Sequence, residues 1–173
     1  ESKIKITKLP DSDNNDLSFD IKGDSNFGLD KSIVNTLRRV LLSSIPTVSF
    51  DYQKDIIIEK NDTSLHNEFL SHRISLIPLY INPDNYNYDY LFELNIDPKD
   101  QLNPILSVYS NDFTIYKKKK GMIIDDNKPI DKKNYDIQNP LSDKDKDKIL
   151  KPFINPFNGD KEYCLITEIN NNT

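Results

Sequence analysis

Two kinds of apolar pattern organise this chain, a strand-like alternation at its start and a helical stripe around Asn35. Lys3 to Leu9 (KIKITKL) sets Ile4 and Ile6 between polar neighbours, the period-2 signature of a strand. A polar turn follows at Pro10 to Asp16, and Leu17 to Ile21 (LSFDI) alternates again, so the two runs predict a β-hairpin with a long loop. Gly23 to Gly28 breaks the pattern. From Asp30 to about Ser44 the apolar residues are Ile33, Val34, Leu37, Val40 and Leu41, which share one face of a helix. Asp30 or Ser32 can cap its start. Pro46 stops it, because the residue before a proline is pushed out of the helical region. On pattern alone this stripe reads as core, with Arg38 and Arg39 on its flank.

The rest of the chain is mostly extended. Thr47 to Glu59 is β-rich, with Val48, Phe50 and Tyr52 on one side of a strand and Ile56 to Ile58 in another. Asn61 to Ser64 is a turn cluster, and Leu65 to about Ser75 predicts a second helix that Pro78 closes. On it Leu65, Phe69 and Arg73 lie one turn apart, with Leu70 and Ile74 beside them. Asn82 to Tyr90 is a tyrosine-rich polar loop, and Leu91 to Ile96 and Leu106 to Tyr116 predict strands. Lys117 to Asp147 reads as a charged excursion with one weak strand at Met122 to Ile124. Ile154 to Phe157 leads into a last strand at Tyr163 to Ile169, and no internal repeat is visible.

Composition narrows the function classes. The 173 residues are 36% hydrophobic and 29% charged, but nine Tyr and eight Phe supply large apolar groups, so wholesale disorder is not expected. A net charge of −5 argues against a surface that coats nucleic acid, which needs Lys and Arg to neutralise phosphates. The lone Cys164 forms neither an internal disulfide nor a CxxC zinc site, and in an apolar strand it reads as a buried thiol. No segment approaches the roughly 20 apolar residues that span a bilayer, and no signal-peptide pattern opens the chain. Its start at Glu1 points to a trimmed or incomplete N-terminus. Frequent Asn, Lys, Asp and Ile suggest an AT-rich genome.

Two blocks carry more than composition does. The first is Asn35, Leu37, Arg38, Arg39, Val40, Leu41, Leu42 and Pro46, an N-x-L-R-R helix with an aliphatic run and a proline. The second is Asn61, Thr63, Glu68, Leu70, Arg73, Leu76, Ile77, Pro78 and Leu79, an N-x-T turn, an E-x-L-x-x-R helix and L-I-P-L. This pair resembles the signature of the α-like assembly subunits of cellular RNA polymerases. These are the bacterial α subunit, its archaeal counterpart and the third-largest subunit of eukaryotic polymerase II, with the equivalent subunit of polymerases I and III. Ser110 and Asp112 match a T-S-x-D-L-like sequence of that family, and Lys151 to Glu168 resembles its returning segment.

The departures from the family are specific. Asn67-Glu68 stands where an acidic pair is usual, and Ser75 replaces the glycine before L-I-P-L. Many relatives carry a cysteine cluster where this chain has Asn82 to Tyr90, which holds no Cys or His and so offers no such metal site. The family continues past its last strand into a loop and a long C-terminal helix, whereas this sequence stops at Thr173. A fragment or an unusual relative is therefore expected.

The resemblance implies an α+β fold: an α-like dimerisation domain (residues 1–46 plus 164–173) interrupted by a mostly β insert domain (residues 47–163). It implies a non-catalytic scaffold of DNA-directed RNA polymerase. That scaffold heterodimerises with a smaller α-like subunit, or a fused equivalent, and docks the second-largest catalytic subunit. It would bind no cofactor or metal, make no direct sequence-specific DNA contact and touch no membrane; the nucleotidyltransferase chemistry belongs to other chains. The implied interface is Asn35, Leu37, Arg38, Arg39, Val40, Leu41, Glu68 and Arg73. The location would be intracellular: the nucleus for a cellular eukaryote, or a cytoplasmic viral factory or virion if the source is a large DNA virus.

Plainer readings stand beside these. Paired arginines are usually a solvated flank, and Lys117 to Lys120 reads as a solvated hairpin end rather than a nucleic-acid or targeting patch. Glu68 and Arg73, five apart, are poor helix partners and are expected to bond backbone or a neighbouring element. His66 and His72 point to different faces and do not chelate one metal. A small hydrolase or transferase would have to use Glu68, His72 or Cys164, and their spacing forms no nucleophile–base pair. A stand-alone interaction module unrelated to transcription is the remaining alternative.

Overall fold

Ile6 and Ile21 face each other across an antiparallel ribbon of β1 (Lys5–Lys8) and β2 (Phe19–Lys22), the predicted hairpin. The computed structural model describes residues 4–9, 18–23, 29–97, 105–124 and 130–170, so the predicted turn at Pro10 to Asp16 lies outside the described residues. The chain divides into two units, Glu1–Pro46 and Thr47–Thr173. The fold class is α+β, with helices and short antiparallel two-stranded ribbons.

In the first unit α1 spans Lys31–Ser43 with Asp30 as its N-cap residue. The Asp30 side chain makes no regular capping hydrogen bond; the Ser32 hydroxyl donates to it at 2.7 Å and is the main cause holding its carboxyl below the usual range. Both predicted capping residues are thus tied to each other. The expectation that the stripe forms core is wrong: α1 buries no residue, and Leu37, its least exposed large apolar residue, is still 38% exposed. A hairpin and one helix leave that face with too little of their own chain to cover it.

The second unit holds the core. α2 (Asn67–Ser75) contributes Leu70 and Ile74, and the L-I-P-L run buries Ile77 and Leu79 while Leu76 and Pro78 stay exposed. The start of α2 is set by the N-x-T turn. Asn61 Oδ1 accepts from the Thr63 N–H (3.0 Å) and hydroxyl (2.7 Å), and Asn61 Nδ2 donates to the Leu65 carbonyl at 2.8 Å. His66 then caps the helix by accepting from the Glu68 N–H.

Between α2 and the C-terminal end of the unit, β3 (Tyr90–Glu93) pairs with β5 (Thr114–Lys117), and β4 (Ile105–Tyr109) pairs with β8 (Leu165–Asn170). The predicted single strand Leu106 to Tyr116 is broken into β4 and β5. A 3-10 turn at Ser110–Asp112 separates them, where the Tyr109 N–H donates to the Asp112 carboxylate at 2.7 Å. A bulge between Val108 and Tyr109 shifts the β4–β8 register. Consecutive residues Ile166 and Thr167 are both buried there, as an extra bulge residue allows.

Other expectations fail for want of a partner strand. Residues 47–59 form no strand, nor do residues 122–124. Val48, Phe50, Ile56 and Ile58 are nonetheless half-buried against the core, while Ile57 is exposed. Phe50 is anchored edge-on to Phe92 at 4.9 Å, and Phe92 to Phe113 at 6.0 Å. Between Phe50 and Ile56 the chain turns at residues 51–55, where the Asp55 N–H donates to the Asp51 carbonyl at 2.9 Å, and side-chain packing rather than a strand ladder holds the segment.

The charged excursion also contains a helix that periodicity hides. α3 (Asp143–Ile149) is capped by Ser142, whose side chain accepts from the Asp145 N–H, with acidic residues in its first turn and lysines in its last, as the helix dipole favours. It buries only Ile149, with Leu150 just beyond. A short ribbon of β6 (Phe153–Ile154) and β7 (Lys161–Glu162) follows. Cys164 is exposed, correcting the expectation of a buried thiol, because it lies ahead of the paired run of β8.

Two carboxylates brace this unit. Glu93 accepts from Lys132 Nζ at 2.7 Å and the Tyr116 hydroxyl at 3.1 Å, and Asp147 from Lys161 at 2.5 Å and the Tyr163 hydroxyl at 2.8 Å. The lysine hydrogen bond is the main cause holding each carboxyl below its usual value. A depressed folded-state pKa stabilises above the unfolded value and is lost as pH falls through the folded one. Thermal melts from pH 7 to 3 are therefore expected to show stability falling below about pH 4, with Glu93→Gln flattening part of that slope. An unchanged slope in that variant would show that the brace carries no stability.

Candidate protein–protein interface

The α1 stripe is the largest run of exposed apolar side chains on one element. Ile33 (48%), Val34 (43%), Leu37 (38%), Val40 (48%) and Leu41 (47%) are all exposed along an arc of roughly 120°. Surfaces of this kind on a soluble domain mark contacts with other chains. Beyond the helix Ile45 is also exposed.

The two arginines differ. Arg38 lies at the edge of the stripe, and its Nε and Nη2 both donate to Asn35 Oδ1, at 3.2 and 3.1 Å. Asn35 therefore positions Arg38, and the pair lines a shallow depression with Leu29, Lys31 and Val34. Arg39 is about 100° further round and has no side-chain partner among the described residues; only its carbonyl is engaged, by the Ser43 hydroxyl at 2.8 Å. Leu42, exposed by 75%, falls between the two arginines on the helix face away from the stripe. Its presence on the polar side is a signal that attention to the stripe alone misses.

In the second unit Arg73 is exposed, but its Nη2 donates to the Leu165 carbonyl at 3.0 Å and ties α2 to β8. Glu68 is exposed, with its backbone engaged in the cap. Phe69 (67%) and Leu76 (69%) stand exposed near Arg73 on the same helix side. His72 packs edge-on to Tyr52 at 5.9 Å. No hydrogen bond among the described residues links Glu68, His72 and Cys164, the set an enzyme reading would need. Cys164 is engaged through its backbone: its N–H donates to Ser110 Oγ at 3.2 Å, and its carbonyl accepts from the Ser110 N–H at 2.8 Å.

The tyrosine-rich loop is held by side chains. The Tyr135 hydroxyl donates to the Tyr88 carbonyl at 3.1 Å, Lys118 pairs with Asp89 at 2.9 Å and also donates to the Asn87 carbonyl, and burial pushes the Tyr86 phenol far up. Among the described residues no group of three His, Cys, Asp or Glu is placed to hold a metal. Elemental analysis of the purified chain is expected to find no stoichiometric zinc or iron, and a tightly held zinc that resists chelators would overturn that expectation.

The profile of one protein family, the RNA polymerase Rpb3/Rpb11 dimerisation domain, matches residues 25–150. The chain belongs to this family. The match contains α1 and α2 together with both arginines. Among curated relatives, it is similar to "DNA-directed RNA polymerase subunit Rpo3" of Methanosphaera stadtmanae, 41% identical over 59 residues, 34% of this chain and 21% of the relative. It is also similar to "DNA-directed RNA polymerases II, IV and V subunit 3" of Arabidopsis thaliana, 40% identical over 77 residues, 44% of this chain and 21% of the relative. A third, "DNA-directed RNA polymerases I and III subunit rpac1" of Dictyostelium discoideum, is 33% identical over 88 residues, 51% of this chain and 23% of the relative. The chain thus aligns with about a fifth of the length of these Rpb3/Rpb11-family relatives. No solved structure matches it.

Proposed function

We propose that this Rpb3/Rpb11-family chain is a non-catalytic assembly subunit of a DNA-directed RNA polymerase, or a piece of one, working inside the cell. The observation that carries the reading is α1: an amphipathic helix in a family of dimerisation domains, with its whole apolar stripe exposed. The stripe residues Leu37, Val40 and Leu41 pack on a smaller α-like subunit, and Asn35 presents Arg38 at the rim of that contact. Arg39 and Leu42 face away from the stripe and meet the second-largest subunit. In the second unit, Glu68 and the exposed side of α2 offer a contact surface of their own, with Arg73 securing α2 to β8. The dimerisation domain, in this reading, is residues 1–46 with 164–173, and the mostly β remainder is an insert. The pairing of β8 with β4 ties that final strand to the second unit in the chain alone.

Arg39 is the discriminating residue. An arginine at the centre of an interface makes planar, multidentate bonds, and truncating it leaves the acceptors opposite unpaired at a cost of about 2 kcal/mol or more. Arg39→Ala is expected to weaken pull-down of the second-largest subunit by roughly 30-fold while leaving the heterodimer and the circular dichroism spectrum unchanged. Wild-type recovery by Arg39→Ala, Arg38→Ala and the double variant would make the pair a solvated flank.

A further inference from the structure

One surface in the second unit is unused by this reading. β5 ends in Lys117, and the chain runs on through Lys118, Lys119 and Lys120 into a turn closed by a hydrogen bond from the Met122 N–H to the Lys119 carbonyl at 3.3 Å. Gly121 takes the φ of +82° that this turn requires, a conformation strained for side-chain-bearing residues. The turn is braced from a distant segment. Lys118 bridges to Tyr135, the Lys119 N–H donates to the Asn134 carbonyl at 3.0 Å, and Lys119 Nζ donates to the Lys133 carbonyl at 2.7 Å. Tyr135, which anchors the bridge, is only 2% exposed. The solvated-end expectation for Lys117 to Lys120 leaves these braces unexplained.

Charge on this knuckle is sorted. Lys118 and Lys132 are neutralised by Asp89 (2.9 Å) and Glu93 (2.7 Å), whereas Lys117, Lys119, Lys120 and Lys133 are exposed and have no ion pair among the described residues. Beside them the turn presents Met122 (44% exposed) and Ile123 (89% exposed). A chain with a net charge of −5 therefore carries a local cluster of exposed lysines with an apolar tip.

We infer that this braced turn is a docking point for an acidic protein segment that also carries apolar side chains, bound through Lys117, Lys119, Lys120 and Lys133 with Met122 and Ile123 as the apolar contact. Charge complementarity selects the acidic groups. The apolar tip distinguishes such a segment from a nucleic-acid strand, whose phosphates would use the lysines and leave Ile123 in water. The surface is independent of α1, so its test does not depend on the dimer reading.

The probe is a displayed library of random 16-residue peptides, selected on the full chain carried as a soluble fusion. Selected peptides are expected to be enriched in Asp and Glu together with Leu, Ile or Phe. The tightest is expected to lose at least tenfold in affinity against Lys119→Glu/Lys120→Glu, and severalfold against Ile123→Ser. Raising the salt from 50 to 300 mM should weaken it further. Lys133→Glu, on the bracing segment, is a second variant, and circular dichroism confirms the fold of each. A 16-nucleotide single-stranded RNA and vesicles containing phosphatidylserine are measured in parallel. The inference is overturned by selection without acidic enrichment, by unchanged binding in the lysine variants, or by RNA or vesicles binding as tightly as the selected peptide.

Discussion

Replacing Leu37 and Leu41 together by glutamate is expected to abolish capture of the smaller α-like subunit and to make the isolated chain monodisperse. Both leucines are exposed on the α1 stripe, at 38% and 47%, and α1 buries nothing within the chain. Each leucine that passes from water into an interface contributes about 1.5–3 kcal/mol, and a glutamate in its place adds the cost of an unpaired charge. Two such changes weaken the complex by more than about 100-fold. The same change removes the surface that drives self-association of the free chain. Static light scattering after gel filtration measures the second effect, and titration of the labelled partner the first. Because these side chains carry no core contact, the melting temperature should stay within a few degrees of wild type. Undiminished partner binding by the double variant would remove the stripe from the interface and with it the dimer reading.

The largest loss of stability is expected from Ile115→Ala. Ile115 lies on β5 at 1% exposure, and its carbonyl accepts from the Leu141 N–H at 2.9 Å. It sits in the same buried cluster as Val108, Phe113 and Ile166. Truncating a buried isoleucine removes its transfer free energy and leaves a cavity, about 2–5 kcal/mol in all. For a unit of this size that corresponds to a melting-temperature drop of roughly 10 °C or more. Ile57→Ala, at a residue 65% exposed in the neighbouring irregular segment, is the control and should shift the melt by little. Equal shifts in the two variants would mean that the core does not lie where the burial pattern puts it.

The contrast between Ile57 and Ile115 shows how much was legible beforehand. The apolar run Ile56 to Ile58 reads as a strand, yet the sequence does not say whether a partner strand is available or which side chains face inward; no strand forms there, and Ile56 and Ile58 are half-buried while Ile57 is exposed. Likewise Leu106 to Tyr116 reads as continuous β, but the Tyr109–Asp112 hydrogen bond turns the chain at Ser110–Asp112 and sends β4 and β5 to different partners. α3 escaped the pattern because DKDKDKI buries a single residue, and its helical signal resides in the Ser142 cap and the charge order. At the candidate interface the motif located the arginines, while the difference in their surroundings, Asn35 accepting two bonds from Arg38 and none from Arg39, came from the structure.

By itself, the sequence determined what local chemistry decides: the hairpin alternation of Ile4, Ile6 and LSFDI, the reach of α1 from Asp30 to the stop at Pro46, the N-x-T entry to α2, and the two blocks that place the chain in its family. These depend on contacts a few residues apart, which composition and spacing specify directly. Only the tertiary structure decided that the α1 stripe is exposed, that Cys164 is exposed, that Arg73 bonds the Leu165 carbonyl 92 residues away, and that Lys119 and Lys133 meet across a braced turn. Burial and long-range pairing depend on which distant segments come together, and a stripe of leucines looks the same along the chain whether its complement lies in that chain or in another.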